Sequence, residues 1–122
     1  MFSGIIEATG IITEIRSEGS NLRFIIASRL APELQIDQSI SHNGVCLTVI
    51  AHDQESHQVV AIRETLSKTT LGTWKPGDTV NLERSITPAT LLDGHLVQGH
   101  VDAVGICTSL LAQNGSWEFT FQ

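Results

Sequence analysis

The chain has 122 residues, 41% of them apolar and 16% charged, and its 7 basic and 13 acidic side chains leave a net charge of −6. That length is one ordinary domain, and the apolar fraction is too high and the charge too low for a disordered chain. The acidic balance repels phosphate backbones and anionic lipid, and no apolar run approaches the roughly 18 residues that span a bilayer, so we expect neither a nucleic-acid binder nor a membrane protein.

In chain order, Ile5, Ile6, Ile11, Ile12 and Ile15 mark a long β-branched first stretch. The turn signal Glu18-Gly19-Ser20-Asn21 follows, and residues 21–26 alternate to complete a hairpin. Residues 30–34 carry Pro32 and read as a short helical or irregular piece. Residues 39–43 and 45–51 read as two strands joined through Gly44, residues 56–63 as a fifth strand, residues 65–70 as a polar turn or short helix, and residues 79–84 as a sixth strand. Short strands with turn residues between them and little helical periodicity predict an all-β fold, a small closed antiparallel barrel, because closure removes exposed edges.

Sliding the chain on itself by 95 positions lays Met1-Phe2-Ser3-Gly4-Ile5-Ile6-Glu7-Ala8-Thr9-Gly10-Ile11 over Leu96-Val97-Gln98-Gly99-His100-Val101-Asp102-Ala103-Val104-Gly105-Ile106, with four identities and four like-for-like pairs. The register runs on without a gap through Thr13/Thr108 and Phe24/Phe119. We read this as an internal repeat, with one complete copy in residues 1–94 and the opening strands of a second, cut-short copy in residues 95–122. Strands without their partners leave unpaired backbone and a half-covered apolar face, so the second segment is expected to be mobile or borrowed by a neighbouring chain.

Strand alternation sorts the polar residues. Cys46 and Thr48 share one face of their strand, with Val45, Leu47 and Val49 on the other; Ser39, Ser41 and Asn43 share a face, as do Ile62 and Glu64. A face that collects a thiol, hydroxyls, an amide and a carboxylate is either solvated exterior or the lining of a polar ligand site. Cys46 between apolar neighbours is core filler by residue type. The donors and acceptors of Ser41-His42-Asn43-Gly44-Val45-Cys46-Leu47-Thr48 around a glycine also suit close approach of a carbonyl-rich heteroaromatic ring. Glu64-Thr65 ends a strand, where a carboxylate can accept from sugar-like hydroxyls. His95 and His100 flank Leu96-Val97-Gln98-Gly99 as candidate proton carriers, whereas His52 and His57, beside the polar turn Asp53-Gln54-Glu55, read as surface or structural residues. Cys46 and Cys107 read as free thiols; no Cys/His spacing suits a metal, and no phosphate loop, dinucleotide fingerprint or nucleophile elbow is present.

Five blocks in order, Met1-Phe2-Ser3-Gly4-Ile5-Ile6-Glu7, His42-Asn43-Gly44-Val45-Cys46-Leu47-Thr48-Val49, Glu64-Thr65-Leu66, Gly77-Asp78-Thr79-Val80-Asn81-Leu82-Glu83-Arg84 and Gly94-His95-Leu96-Val97-Gln98-Gly99-His100-Val101-Asp102, resemble the riboflavin synthase alpha chain. The resemblance implies a six-stranded Greek-key barrel per copy and two tandem copies. It also implies a homotrimer with each active site between the first barrel of one subunit and the second barrel of another. The implied reaction is a cofactor-free dismutation of two 6,7-dimethyl-8-ribityllumazine molecules into riboflavin and a ribitylamino-pyrimidinedione. Carried over by position, it puts the backbone of Gly4, Ile5 and Ile6 near the ring, Ser41 and Thr48 in a polar wall with Ser39, and Glu64 and Thr65 near the ribityl chain, with Ile62 also on the binding surface. Cys46 lies by the reacting ring, and Phe2, Ser39 and His100 join it as positions implicated in turnover, His100 assisting proton transfer from the acidic 7-methyl group. The family often has a cysteine where this chain has Val45, so that position takes no role. Lumazine synthase as a partner and a cytoplasmic location are further expectations.

Three rivals are set against this reading. Antenna proteins of luminous bacteria share the fold and bind the same ligand without catalysis; Ser39, Cys46 and His100 favour the enzyme. Flavin barrels of the ferredoxin-reductase type use a tyrosine, and this chain has none. An oligonucleotide-binding barrel needs a basic groove with stacking aromatics, which a net charge of −6 contradicts.

Overall fold

The computed structural model describes all 122 residues and contains a closed barrel of six antiparallel strands. The strands are β1 (Ala8–Glu18), β2 (Asn21–Ala27), β3 (Ser39–His42), β4 (Val45–His52), β5 (Ser56–Ala61) and β6 (Thr79–Arg84), ordered β1-β2-β5-β4-β3-β6 around the wall. The meander β3–β4–β5 has β6 returning beside β3, which is the Greek-key order. The fold class expected from the sequence is therefore observed. Several boundaries move by a residue or two; the two that matter for the site are that Ile5 and Ile6 precede β1 rather than opening it, and that Ile62 and Arg63 leave the fifth strand, Ile62 capping and Arg63 opening the helix α1 (Arg63–Lys68).

Period-two alternation fills the barrel. Ile12, Phe24, Ile26, Ile40, Val45, Leu47, Val49, Val59, Ala61, Val80 and Leu82 face one another in a single core. Leu30 and Leu34, around a short 3₁₀ turn at Ala31–Glu33, and Leu71 after α1 join that same core. Trp74 sets its ring edge-on to Phe24 at 5.5 Å between centroids.

Two histidines lie in this interior. His42 on β3 and His57 on β5 are both fully buried, with their Nε2 atoms 2.9 Å apart. His42 Nδ1 lies 3.1 Å from the Ile40 carbonyl, which requires an N–H there; His42 Nε2 then accepts, and His57 Nε2–H donates to it. That leaves His57 Nδ1 as an acceptor with no partner, a smaller cost than an orphaned donor. His57 is thus structural, as expected, and so is His42: of the donors and acceptors noted in residues 41–48, the His42 ring points into the core and is spent on the Ile40 carbonyl and His57.

Beyond β6 the chain forms a separate two-stranded sheet, β7 (Cys107–Gln113) with β8 (Ser116–Phe121). Its ladder reproduces that of β1 and β2 at an offset of 95. Ile12↔Ile26 corresponds to Cys107↔Phe121, Glu14↔Ile25 to Ser109↔Thr120, and the register shift falls at the same place in both. The hydroxyl of Thr13 donates to the Ile25 carbonyl at 3.2 Å, and that of Thr108 to the Thr120 carbonyl at 3.3 Å. Leu110, Trp117, Phe119 and Phe121 are exposed on this hairpin.

Burial pushes His42 down to about 3, with the facing His57 adding repulsion, and burial pushes His57 down to about 4, with His52 adding to it. Both rings therefore stay neutral in the folded chain while each takes a proton in the unfolded chain below about pH 6.5. The unfolded state binds the extra protons, so stability is lost as pH falls through that value. Urea unfolding should show a loss of about 4 kcal/mol between about pH 7 and about pH 5 for the two rings together, and His57→Gln should roughly halve it. An unchanged unfolding free energy across that range would contradict a neutral buried pair.

Candidate functional site

The site is assembled on the outside of the barrel by backbone pairing between remote segments. Glu83 on β6 is buried, and its carboxylate accepts from Ser3 N–H at 2.6 Å, Ser3 Oγ–H at 2.9 Å and Gly4 N–H at 2.9 Å. These bonds fasten the first residues to β6 and satisfy a charge that would otherwise be costly to bury. The opposite side of the same segment pairs with a later one. Phe2 and Val97 exchange both backbone hydrogen bonds, at 2.7 and 2.9 Å, and His95 N–H donates to the Ser3 carbonyl at 2.9 Å. Two residues further on, the Gly99 carbonyl accepts from Cys46 N–H at 2.9 Å, laying residues 97–101 against β4.

Gly99 has to be a glycine. Its φ is +81°, and a Cβ there would come within 2.9 Å of the Cys46 Cβ and 3.0 Å of the buried Phe2 ring. Gly4, 95 positions earlier, has φ +83°. Phe2 and Val97 are likewise 95 apart, so the bridge joins two corresponding positions of the sequence offset.

Between this strap and α1 lies a cleft of about 320 Å³ whose lining includes Cys46, Glu64, Thr65, Lys68, Gly99, His100 and Asp102. Cys46 is a half-buried free thiol on β4, and His100 is exposed on the strap. Glu64 and Thr65 come from the first turn of α1, which starts at Arg63 because Ile62 turns extended and leaves the strand. Lys68 Nζ donates to Glu64 Oε1 at 2.8 Å across one helical turn. That hydrogen bond holds the Glu64 carboxyl below its usual range, and the same bond, with Asp102 adding to it, raises the Lys68 ammonium.

A larger cleft, of about 490 Å³, lies by Ser3, Ile5, Glu83 and Arg84. Its strongest polar groups are already engaged: Glu83 by Ser3 and Gly4, and Arg84 by Glu7 at 2.9 Å and Glu33 at 2.7 Å. The Arg84 hydrogen bonds hold Glu7 below the ordinary carboxylate range. The smaller cleft is the better candidate because it gathers a free thiol, an imidazole, a hydroxyl and carboxylates with room beside them.

Cys46, Glu64, Thr65 and His100, singled out in the sequence, thus meet in one cleft. Ser39 and Ser41 face the same exterior of β3 and pair across to Thr48 and Cys46. Ser41 is nonetheless buried and Thr48 exposed. The two readings of this polar face coincide, since it is exterior to the barrel and also leads to the cleft. Phe2 lies beneath Gly99, buried, and Ile62 is exposed before α1. Gly4, Ile5 and Ile6 are not brought to Cys46; Ile5 lines the larger cleft, and the residues 95 positions on, Gly99, His100 and Val101, stand by Cys46 instead. Glu83, Lys68 and Asp102 were missed in the sequence. Alternation puts Glu83 with Thr79 and Asn81 on the outer face of β6, where an acid gives no sign of burial; the cover of Ser3 and Gly4 is what buries it.

The strap makes two checkable demands. Gly99→Ala should lift residues 97–101 from β4, so that in a Cys107→Ser background the Cys46 thiol reacts severalfold faster with a thiol reagent. Glu83→Ala strands two N–H groups and should cost about 2–3 kcal/mol of unfolding free energy in urea.

The chain matches known proteins in the same region. The family model described as "Lumazine binding domain" matches residues 3–85. A riboflavin synthase from Photobacterium phosphoreum is 42% identical over 106 residues, which is 85% of this chain and 49% of that protein. One from Schizosaccharomyces pombe is 36% identical over 124 residues, 100% of this chain and 60% of that protein. The chain therefore spans about half the length of the curated relatives it matches. Among solved structures, that of LumP complexed with 6,7-dimethyl-8-(1′-D-ribityl) lumazine superposes with a TM-score of 0.84 at 22% identity, covering 98% of this chain and 67% of that one. LumP complexed with riboflavin gives 0.83 at 21% identity, covering 98% and 65%. The TM-scores report the shared fold, and with a family model covering most of the barrel, the chain belongs to the lumazine-binding domain family.

Proposed function

We propose that this chain supplies a lumazine-binding barrel of a riboflavin synthase, in which two 6,7-dimethyl-8-ribityllumazine molecules dismutate. One donates a four-carbon unit to the other, giving riboflavin and 5-amino-6-ribitylamino-pyrimidinedione. The observation that carries the reading is the meeting of Cys46, His100, Glu64 and Thr65 in one cleft of a family-matched barrel. In this reading, the cleft walls hold the ring beside the Cys46 thiol, and Glu64 and Thr65 bind ribityl hydroxyls. His100, on a strap pinned through Gly99, takes the proton released from the 7-methyl group. Ser39, Ser41 and Thr48 extend the polar wall, and Phe2 acts from below by seating Gly99.

A reaction between two identical molecules calls for two similar sites held face to face, and such positioning supplies several kcal/mol of barrier lowering. The reproduction of the β1–β2 ladder by β7–β8 at an offset of 95 supports a tandem second barrel as the source of the second site. The homotrimer, an association with lumazine synthase, a cytoplasmic location and the absence of a cofactor belong to the same proposal.

The test is a titration of the purified chain with 6,7-dimethyl-8-ribityllumazine and with riboflavin, following ligand fluorescence and riboflavin formation together. The expected result is binding of both with little or no product, since one barrel offers one site. Thr65→Val, which removes a hydroxyl, should weaken binding by about tenfold. Failure of both ligands to bind would refute the proposal, and rapid product formation would refute the need for a second barrel.

A further inference from the structure

The cleft has a charge pattern of its own. Glu64, Lys68 and Asp102 all line it, and Lys68 Nζ is held 2.8 Å from Glu64 Oε1. Two carboxylates against one ammonium leave the lining one negative charge in excess, on a chain whose net charge is −6. The ammonium is already paired with a carboxylate rather than standing alone as an anion site. Drawing Lys68 away to a ligand would strand Glu64 as a second unpaired carboxylate, and Asp102 on the strap would remain unneutralised beside it. Arg63, the neighbouring cation, is not part of the lining.

Building on the reading of this cleft as a lumazine and flavin site, we infer that the Glu64–Lys68–Asp102 cluster sets specificity by charge, admitting a ring that carries a neutral polyol chain and disfavouring the same molecule when that chain ends in a phosphate. A phosphate monoester carries about −1.5 to −2 charge at neutral pH. With the ribityl chain on Glu64 and Thr65, as the proposed function has it, the terminal phosphate falls on the side of the cleft that carries Glu64 and Asp102, where charges closer than the Debye length of about 8 Å at physiological salt still interact. The discrimination needs no steric gate, only the ribityl end of the ligand on the Glu64 side. It depends on Lys68 remaining paired with Glu64, and salt weakens it.

Riboflavin and flavin mononucleotide share a ring and a ribityl chain and differ in the terminal phosphate, so the ratio of their dissociation constants isolates this effect from any common loss of affinity. For the unaltered chain the ratio of the mononucleotide to riboflavin should exceed one at low salt and fall toward one as salt is raised. Asp102→Asn should lower the ratio about threefold, and Lys68→Met should raise it about threefold, the size expected for one screened charge acting on a phosphate at this range. Thermal unfolding of each variant checks that it is folded. Tighter binding of the mononucleotide at low salt, or a ratio indifferent to salt and to both substitutions, overturns the inference while riboflavin binding leaves the reading of the cleft intact. Absence of riboflavin binding in the unaltered chain overturns both.

Discussion

The candidate site depends on one set of hydrogen bonds, with the Glu83 carboxylate on one side and with the backbone on the other, that clamp the first four residues between β6 and the strap at residues 95–99. The barrel would close without them, since its six strands complete their own ladders. The cleft would not exist. Glu83 holds Ser3 and Gly4 on one side, Val97 and His95 hold Phe2 and Ser3 on the other, and only then does the Gly99 carbonyl reach Cys46 N–H. Each link satisfies a backbone group that the barrel rim leaves open, and a buried unpaired N–H or carboxylate is costly enough to make the arrangement cooperative. His100 owes its place near a thiol 54 positions earlier to this chain of contacts rather than to any preference of its own.

The inside and outside of the same strands do opposite work. Inside, β3 and β5 contribute His42 and His57, whose mutual hydrogen bond lets two polar rings occupy an apolar barrel at the expense of one unpartnered nitrogen and of acid tolerance. Outside, β3 and β4 present Ser41 and Cys46 to the strap. A single sheet thus supports a dry, neutral interior and a wet, charged cleft, separated by one residue along the strand. Burial sets the protonation behaviour of the first; screened charge on α1 and the strap governs the second.

The offset of 95 runs through sequence, ladder and bridge. β7–β8 repeats the register of β1–β2, and Phe2 and Val97, at corresponding positions, pair with each other. Gly99, His100 and Val101 line the cleft at Cys46, while Ile5, at the position corresponding to His100, lines the larger cleft. Ile5 and Ile6 are left half-exposed on the other side of the bridge.

The sequence alone determined the barrel, because its information is local. Alternation in residues such as Val45, Leu47 and Val49 assigns faces, turn residues end strands, and six short strands without helical periodicity have few ways to hide their edges. It also singled out Cys46, Glu64, Thr65 and His100 as candidates, with their common role implied by the resemblance that five blocks along the chain carry. What it could not determine was coverage. Alternation places Ser41 and Cys46 outside the barrel without saying what lies over them, and it places His42 inside without naming His57 as its partner. Those outcomes, together with the ion pair of Lys68 in the cleft and the burial of Phe2 under Gly99, were decided by tertiary structure. The His42–His57 and Glu64–Lys68 contacts join side chains that barrel closure and the start of α1 bring together. The cover over Cys46 and the burial of Phe2 rest on backbone hydrogen bonds between segments more than fifty residues apart, and backbone groups are the same at every position, so no side-chain pattern records which of them will meet.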